Sequence, residues 1–249
     1  MGYPRILYDN RLADAVPVAS STAAGDFNAL NLRDFKPFTW WKPAAMPATV
    51  TVDSGVAKAA DYWLVWGHDL FTRGATIELR GSTNNFAGSD VLVDSVTPAS
   101  DAPFARYFAS ASYRYWRLRV TGATAPALAV AAMGARLEVP SYLREGFDPR
   151  GRVPQGTLNR SVKGHPLSRM IEFEDWTETL NFELLTWAWI RATWEPAWAA
   201  WLRGNPFVFD WDAAGHPSEI RLVNATGGWK APHRAGGYAD LSLEVAGVI

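Results

Sequence analysis

Short stretches of alternating apolar and polar residues, separated by Gly, Pro, Asn and Ser, dominate the first 139 residues. Apolar side chains recur at every second position, the spacing that places them on one face of a β-strand. Several short strands at this spacing, without a convincing helix, predict an all-β sandwich. The predicted strands are Ala48–Asp53, Tyr62–Trp66, Thr76–Arg80, Val91–Ser95, Phe104–Phe108, Ser112–Val120 and Leu128–Val139.

Residues 112–120 read Ser-Tyr-Arg-Tyr-Trp-Arg-Leu-Arg-Val, and this mixture of rings and arginines has two interpretations. The rings could stack on nucleic-acid bases while the arginines hold phosphates. A β-strand explains the pattern by the pleat alone, so we favour the strand. The core face then carries Trp116, Leu118 and Val120, and the outer face carries Tyr115, Arg117 and Arg119. Arg114 falls on the inward side, where it needs a carboxylate or carbonyl partner.

The pattern changes in the last third of the chain, where a predicted helix interrupts the strands. Thr193–Arg203 has a residue able to cap it, Thr193, and a proline in its first turn. Trp194, Ala197, Trp198 and Trp201 form an apolar stripe at helical spacing. The strands predicted around this helix are Leu167–Phe173, Thr179–Trp187, Pro206–Trp211, Glu219–Val223 and Tyr238–Val245.

The segment Pro140–Pro166 contains four prolines and four glycines and little periodicity, which is typical of a connector or of an arm lying on a neighbour. We therefore predict a β-sandwich (jelly roll) over residues 1–139, a connector over 140–151 and a second β domain with one helix over 152–249. The fold class is mainly β.

Composition narrows the function. The 249 residues include 24 Lys and Arg and 25 Asp and Glu, so the chain lacks the basic excess of a general nucleic-acid binder. Without cysteine it forms no disulfides and no cysteine metal sites. The longest uncharged apolar run, Pro126–Ala135, is far shorter than the ~20 residues of a membrane helix. The N-terminus lacks the apolar stretch of a signal peptide. We expect a soluble protein with no membrane insertion.

Signals for catalysis are weak, and we predict no catalytic residue, metal or cofactor. The four histidines, His68, His165, His216 and His233, lack close metal-ligand spacing, and His68-Asp69 is expected to satisfy a turn. Glu172 and Glu174 share one strand face, whereas a glycosidase needs carboxylates that face each other across a sugar.

Two short segments are candidate contacts with a ligand or with another subunit. Trp40 and Trp41 are adjacent, so an extended chain cannot turn both rings into one core. One ring should be exposed or meet a partner. The second segment is Asn84-Asn85-Phe86, which lies in a predicted loop.

The first 138 residues resemble the discoidin-like, galactose-binding-like jelly rolls. The resemblance rests on Tyr-Arg-Tyr-Trp-Arg-Leu-Arg-Val, on Val-Thr-Val-Asp-Ser-Gly and on Trp-Gly-His-Asp-Leu, which is similar to a Gly-His-Asn-Leu segment of phage-encoded members. Residues 152–249 resemble the distal tail proteins of long-tailed bacteriophages, in particular the minor tail protein M family. The shared features are Leu-Asn-Phe-Glu-Leu, the helix, Asn-Pro-Phe-Val-Phe-Asp-Trp-Asp and Ala-Asp-Leu-Ser-Leu-Glu-Val. Many distal tail proteins have the tube-forming domain first, whereas here the sandwich comes first.

These resemblances imply a structural component of a phage tail tip or baseplate, made in the host cytoplasm and located in the virion tail. Copies would form a homo-oligomeric ring that contacts the tail tube and the tail-tip or hub proteins. The ring would conduct DNA without reading its sequence, and the jelly roll would contact subunits or a host-surface glycan. Two alternatives from other classes are a carbohydrate-binding module protein and, more weakly supported, a glycan-cleaving enzyme.

Overall fold

The protein is described by a computed structural model that covers residues 2–248. The chain divides into two compact units. Unit 1 comprises Met1–Ile6 and Leu137–Ile249, and unit 2 comprises Leu7–Arg136. The domains predicted from the sequence, 1–139 and 152–249, differ from these units at two points. The first six residues belong with the C-terminal part of the chain, and so does the segment that begins at Leu137.

Most of the described chain forms antiparallel strands, as the alternating pattern predicts. The strands are β1 (Arg5–Leu7), β2 (Val18–Ala19), β3 (Ala48–His68), β4 (Thr76–Ser82), β5 (Val91–Val96), β6 (Phe104–Thr121), β7 (Leu128–Gly134), β8 (Leu137–Glu138), β9 (Val153–Arg160), β10 (Pro166–Thr186), β11 (Phe207–Asp210), β12 (Ile220–Ala225), β13 (His233–Arg234) and β14 (Tyr238–Val248). Short 3-10 turns occupy Arg11–Ala13, Ala29–Arg33 and Ala235–Gly237. The mainly β fold class with one substantial helix is confirmed.

Unit 2 is a sandwich built around two long strands, β3 and β6. Its strand order is β2-β3-β6-β4-β5, and β7 pairs with the second half of β3. Strands predicted separately, such as Phe104–Phe108 and Ser112–Val120, are halves of one long strand that changes register partway along its length. The core of unit 2 includes Trp116, Leu118 and Val120, each at most 1% exposed. The predicted core face of residues 112–120 is therefore confirmed.

The predicted inward orientation of Arg114 is wrong, although its predicted carboxylate partner is present. The pairing of β3 with β6 shifts between Asp53 and Lys58, where β3 carries extra residues opposite β6. This bulge interrupts the alternation of faces at the position of Arg114. The side chain of Arg114 is 45% exposed, and it binds the carboxylate of Asp53 at the surface.

Unit 1 contains an eight-stranded sheet in the order β8-β1-β11-β12-β14-β10-β9, and β13 pairs with β14. β1 is the N-terminal strand of the chain, and it enters this sheet by pairing Arg5 with Glu138 and Ile6 with Leu137. The segment Pro140–Pro166 contains β9, which forms a hairpin with β10 and lies outside the connector predicted over 140–151. The proline of β9, Pro154, lies in an edge strand, the place in a sheet where proline is tolerated.

The helix of unit 1 is longer than predicted. Helical turns run continuously over residues 187–202 and include two π-helical stretches, Ile190–Trp194 and Trp198–Leu202. Thr186 caps it, since the Thr186 hydroxyl accepts a hydrogen bond from the Trp189 N–H at 3.2 Å. The predicted cap at Thr193 is therefore wrong. The apolar stripe is correct, because Trp194 and Ala197 are at most 2% exposed and Trp198 and Trp201 are half-buried.

Candidate functional site

The two segments singled out in the sequence lie in different environments. Trp41 is fully buried and exchanges backbone hydrogen bonds with Leu128. Trp40 is half-buried, and its ring packs near Gly67, where an added Cβ atom would lie 3.6 Å from the indole. Trp41 therefore faces the core, whereas Trp40 is only partly buried. Neither tryptophan lines the surface groove of unit 2 formed by Thr51, Asp53, Asn85, Tyr115 and Arg117. Their role as a ligand or subunit contact stays a prediction.

Asn84 uses its side chain inside its own loop. Its amide nitrogen donates to the Ala87 carbonyl at 2.8 Å, and its amide oxygen accepts from the Ser82 hydroxyl and the Ser89 N–H. Asn85 and Phe86 follow in the left-handed backbone region, with φ of 56° and 64°. This conformation is unusual for a phenylalanine and needs support from its surroundings. The guanidinium of Arg117, 3.5 Å above the centroid of the Phe86 ring, provides such a contact.

A groove of about 430 Å³ runs across the outer face of the unit 2 sheet, beside this loop. Its floor comes from alternate residues of two paired strands, with Thr51 opposite Arg117 and Asp53 opposite Tyr115. Because side chains on a strand point to the two faces in turn, these residues share the outer face while Val50, Val52, Trp116 and Leu118 enter the core. The walls of the groove include Val16, Val18, Thr49 and Asn85.

Asp53 is held in its charged form at one end of the groove. Arg114 donates two hydrogen bonds to its carboxylate, each 2.8 Å long. The hydrogen bond from Arg114 and, next, that from the Gly55 N–H lower the pKa of Asp53 to about 2. Tyr115 beside the carboxylate lowers this pKa further, by a smaller amount.

Arg117 is the arginine of this face whose positive charge meets no carboxylate. Its Nε–H donates to the Thr51 hydroxyl at 2.9 Å, and its guanidinium covers the Phe86 ring. Within the described residues, no carboxylate lies within ion-pair distance of Arg117. Burial is the largest influence and lowers the pKa of Arg117. The negative charge of Asp90 comes next and raises this pKa, and the charges of Arg80 and Arg119 lower it by smaller amounts.

The groove residues were not selected in the sequence, with the exception of Asn85. Their types and alternation were visible, because Thr49, Thr51 and Asp53 interrupt an apolar strand at every second position. The alternation does not show which strand pairs with this one. The signal that could have found the site is therefore the outer face of residues 112–120, combined with the correct pairing of β3 and β6.

A second feature is the hairpin of unit 1 formed by β9 and the first part of β10, here termed the arm (residues 153–173). Seven large apolar side chains of the arm are exposed: Val153, Leu158, Val162, Leu167, Met170, Ile171 and Phe173. Cross-strand partners share a face of a sheet. Met170 and Phe173 lie on one face, opposite Thr157 and Gln155, whereas Ile171 lies on the other face, opposite Gly156. The arm thus exposes apolar side chains on both faces.

The arm also has a free edge. β9 is the terminal strand in the order of its sheet, so one side of its backbone pairs with no strand of residues 2–248. An exposed apolar edge strand is a template for pairing with another chain, and isolated proteins rarely leave one uncovered. The arm is therefore a candidate association surface.

His68 and Asp69 form hydrogen bonds within a turn. The His68 ring accepts a hydrogen bond from the Leu70 N–H, and Asp69 accepts from the Ala127 N–H and from Arg73, so this pair satisfies a turn as predicted.

Among the residues that the structure describes, histidines and carboxylates form no cluster of three or more suited to a metal ion. No helix within residues 2–248 has the length and apolar character needed to cross a membrane.

Neither a protein-family model nor a curated protein sequence matches the chain. Solved structures do match parts of it. A chitosan-binding module of a chitosanase/glucanase from Paenibacillus sp. IK-5 is 17% identical, with a TM-score of 0.43, and the match covers 51% of this chain and 98% of the module. A CBM32 module from Clostridium perfringens, in complex with GalNAc-β-1,3-galactose, is 15% identical with a TM-score of 0.43, covering 52% of this chain and 99% of that one.

A GH29 fucosidase from Ruminococcus gnavus is 14% identical with a TM-score of 0.45, and the match covers 53% of this chain and 28% of the enzyme. Identities and TM-scores this low do not transfer the ligands or activities of these proteins to this chain.

Proposed function

We propose that the protein is a structural component of the tail tip or baseplate of a long-tailed bacteriophage. Unit 1 builds a ring of identical copies at the end of the tail tube, and unit 2 is an outer jelly roll for contact with subunits or the host surface. In this function the protein lies in the virion tail, contacts the tube and the tail-tip or hub proteins, and has no enzymatic activity. The observation that carries the proposal is the arm.

The arm supports assembly for two physical reasons. Burying a large apolar side chain such as Phe173 or Ile171 stabilises a complex by about 1.5–3 kcal/mol, before the costs of association are subtracted. Pairing of the free edge of β9 also supplies partners for backbone groups that otherwise bond only to water. In this proposal the arm contacts a different surface of the next copy. Such a contact is heterologous, and it forms a ring when the rotation between successive copies closes.

The test removes the apolar character of one face of the arm in the full-length protein. We expect the wild type to form rings, alone or on tail tubes, and the double variant Met170→Thr/Phe173→Thr to assemble at least about tenfold less tightly. Phe38→Thr is the matched control, because Phe38 is 73% exposed and lies outside the arm. Sedimentation velocity and negative-stain images measure the assembly. The proposal would be overturned if the wild-type protein forms no ring even when tail tubes are present. It would also be overturned if the arm variant assembles as tightly as the wild type.

A second candidate function is glycan binding by unit 2, and the groove is the observation that favours it. The groove combines the Tyr115 ring with two threonine hydroxyls and the Asn85 amide, which are the groups that contact a sugar ring and its hydroxyls. Its volume falls in the usual range for small-ligand sites. This function is compatible with the first, since an outer tail-tip domain can bind a host-surface glycan. Binding of the full-length protein to a saccharide array, lost in Tyr115→Ala, is the test.

A further inference from the structure

We propose that the groove of unit 2 binds an acidic saccharide, with Arg117 holding the carboxylate of the sugar. This inference rests on the second proposed function, glycan binding, and names its ligand class. Its basis is an imbalance of charge on one face of the unit 2 sheet.

The arginines of this face compete for few carboxylates. Arg80 binds Glu78 and Asp90, each at 2.7 Å, and Arg119 reaches Glu78 at 3.4 Å. Arg114 occupies Asp53 with both of its hydrogen bonds. Every carboxylate of this network is therefore paired with another arginine. In the described part of the chain Arg117 forms no ion pair of its own, although the charge of Asp90 acts on it from a distance.

The surroundings of Arg117 favour an incoming anion. A half-buried charge has lost part of its hydration, so an anion that pairs with it replaces lost interactions instead of competing with water. A guanidinium carries five N–H donors, and Thr51 uses the one on Nε. The Phe86 ring beneath the guanidinium restricts its orientation, which reduces the entropy lost when a ligand binds. Donors are thus available in a side chain that is already positioned.

The anion is a carboxylate, and not a phosphate, because of what lies beside Arg117. The ionised Asp53 lines the same groove and repels a doubly charged group more strongly than a singly charged one. A carboxylate matches the two-pronged geometry of a guanidinium as well as a phosphate does, so the charge of Asp53 decides between them. The other walls suit a sugar ring, because Tyr115 offers an aromatic face, Val16 and Val18 offer exposed apolar surface, and Thr49 and Asn85 offer hydrogen bonds.

The experiment measures binding of the full-length protein to an array of acidic bacterial surface polysaccharides and uronic-acid and sialic-acid oligosaccharides. Each probe is paired with the same saccharide after reduction of its carboxyl groups to alcohols. We expect at least one acidic probe to bind and its reduced form to bind at least about tenfold more weakly. Calorimetry on that probe then compares the variants.

Arg117→Gln should lose at least about tenfold in affinity for the acidic probe, whereas Arg73→Gln, an arginine of unit 2 outside the groove, should bind normally. Asn85→Asp provides a variant whose fold is preserved, because aspartate also accepts the left-handed backbone of position 85. It adds a second carboxylate to the groove, so it should weaken binding of the acidic probe and leave any binding of the reduced probe unchanged.

Two results separate the two ideas. In the first, saccharide binding depends on Tyr115 but is equal for acidic and reduced probes and is unaffected by Arg117→Gln. This result overturns the proposal of an acidic ligand and leaves the glycan-binding function in place. Absence of binding to every saccharide overturns the glycan-binding function itself.

Discussion

Arg114 and Asp53, 61 positions apart in the sequence, form a two-pronged ion pair with both hydrogen bonds at 2.8 Å. The pair joins β6 to β3 where the register between these strands shifts. Because it is solvent-exposed, water screens the attraction, and its effect is better seen in the titration of Asp53 than in overall stability.

The first prediction concerns this titration. The pKa of Asp53 is about 2, below its ordinary value of 3.8, so the folded state favours the charged carboxylate. The stabilisation from the pair is therefore fully present above about pH 3.8 and is lost as the pH falls through about 2. Arg114→Gln should raise the pKa of Asp53 towards 3.8, measured by the NMR shift of its carboxyl carbon. Arg73→Gln is the control, and an unchanged pKa in Arg114→Gln would contradict the pairing.

The second prediction tests the core of unit 2. Trp116 is fully buried and packs edge-on against Tyr113, with ring centroids 5.3 Å apart. Trp116→Ala should lower the free energy of unfolding by about 3–5 kcal/mol, because it leaves a large cavity. Ser112→Ala, at an exposed site of the same strand, should change it by less than about 0.5 kcal/mol. Urea unfolding followed by tryptophan fluorescence and circular dichroism measures both, and similar losses would show that the assigned faces are wrong.

The third prediction concerns the start of the helix. The Thr186 hydroxyl accepts the Trp189 N–H, one of the backbone donors that lack a partner within the first turn. Thr186→Ala should therefore cost about 0.5–2 kcal/mol in the free energy of unfolding. Thr193→Ala lies within the helix and should cost less than about 0.5 kcal/mol. Thermal and urea unfolding measure the loss of stability in each variant. A larger loss in Thr193→Ala than in Thr186→Ala would indicate that Thr193 is the cap.

The fourth prediction concerns the backbone of the arm. A Cβ atom on Gly156 would lie 1.9 Å from the Met170 carbonyl oxygen, so a side chain there forces the two strands apart. Gly156→Val should increase hydrogen exchange and proteolytic cleavage across residues 153–173. Gly204→Ala is the control, since an added Cβ at Gly204 meets no atom within 4 Å. Wild-type protection of the arm in Gly156→Val would show that the two strands do not approach this closely.

The candidate surfaces were only partly accessible from the sequence. The sequence places Asn85 in a loop, and the structure places it in the groove. Trp40 and Trp41 are candidates because they are adjacent, but in the structure they lie beside Gly67 and Leu128. For the arm, the sequence predicts the strand Leu167–Phe173 and leaves open whether the preceding segment is a connector or an arm. Strand β9 is missed because its proline and glycine weaken the strand pattern, although proline is tolerated in an edge strand.

The sequence by itself determined the core face of residues 116–120 and the apolar stripe of the helix, but not the orientation of Arg114, where a bulge interrupts the alternation. Those patterns are local, since a strand repeats every two residues and a helix every 3.6, and they placed Trp116 and Trp194 correctly. Only the tertiary structure decided which strands pair. In that structure Arg5 pairs with Glu138 across two strands, and Asp53, Glu78 and Asp90 form ion pairs with arginines other than Arg117. The physical reason is that strand pairing and ion pairing join residues distant in the chain, so no local pattern specifies the partner that each group finds.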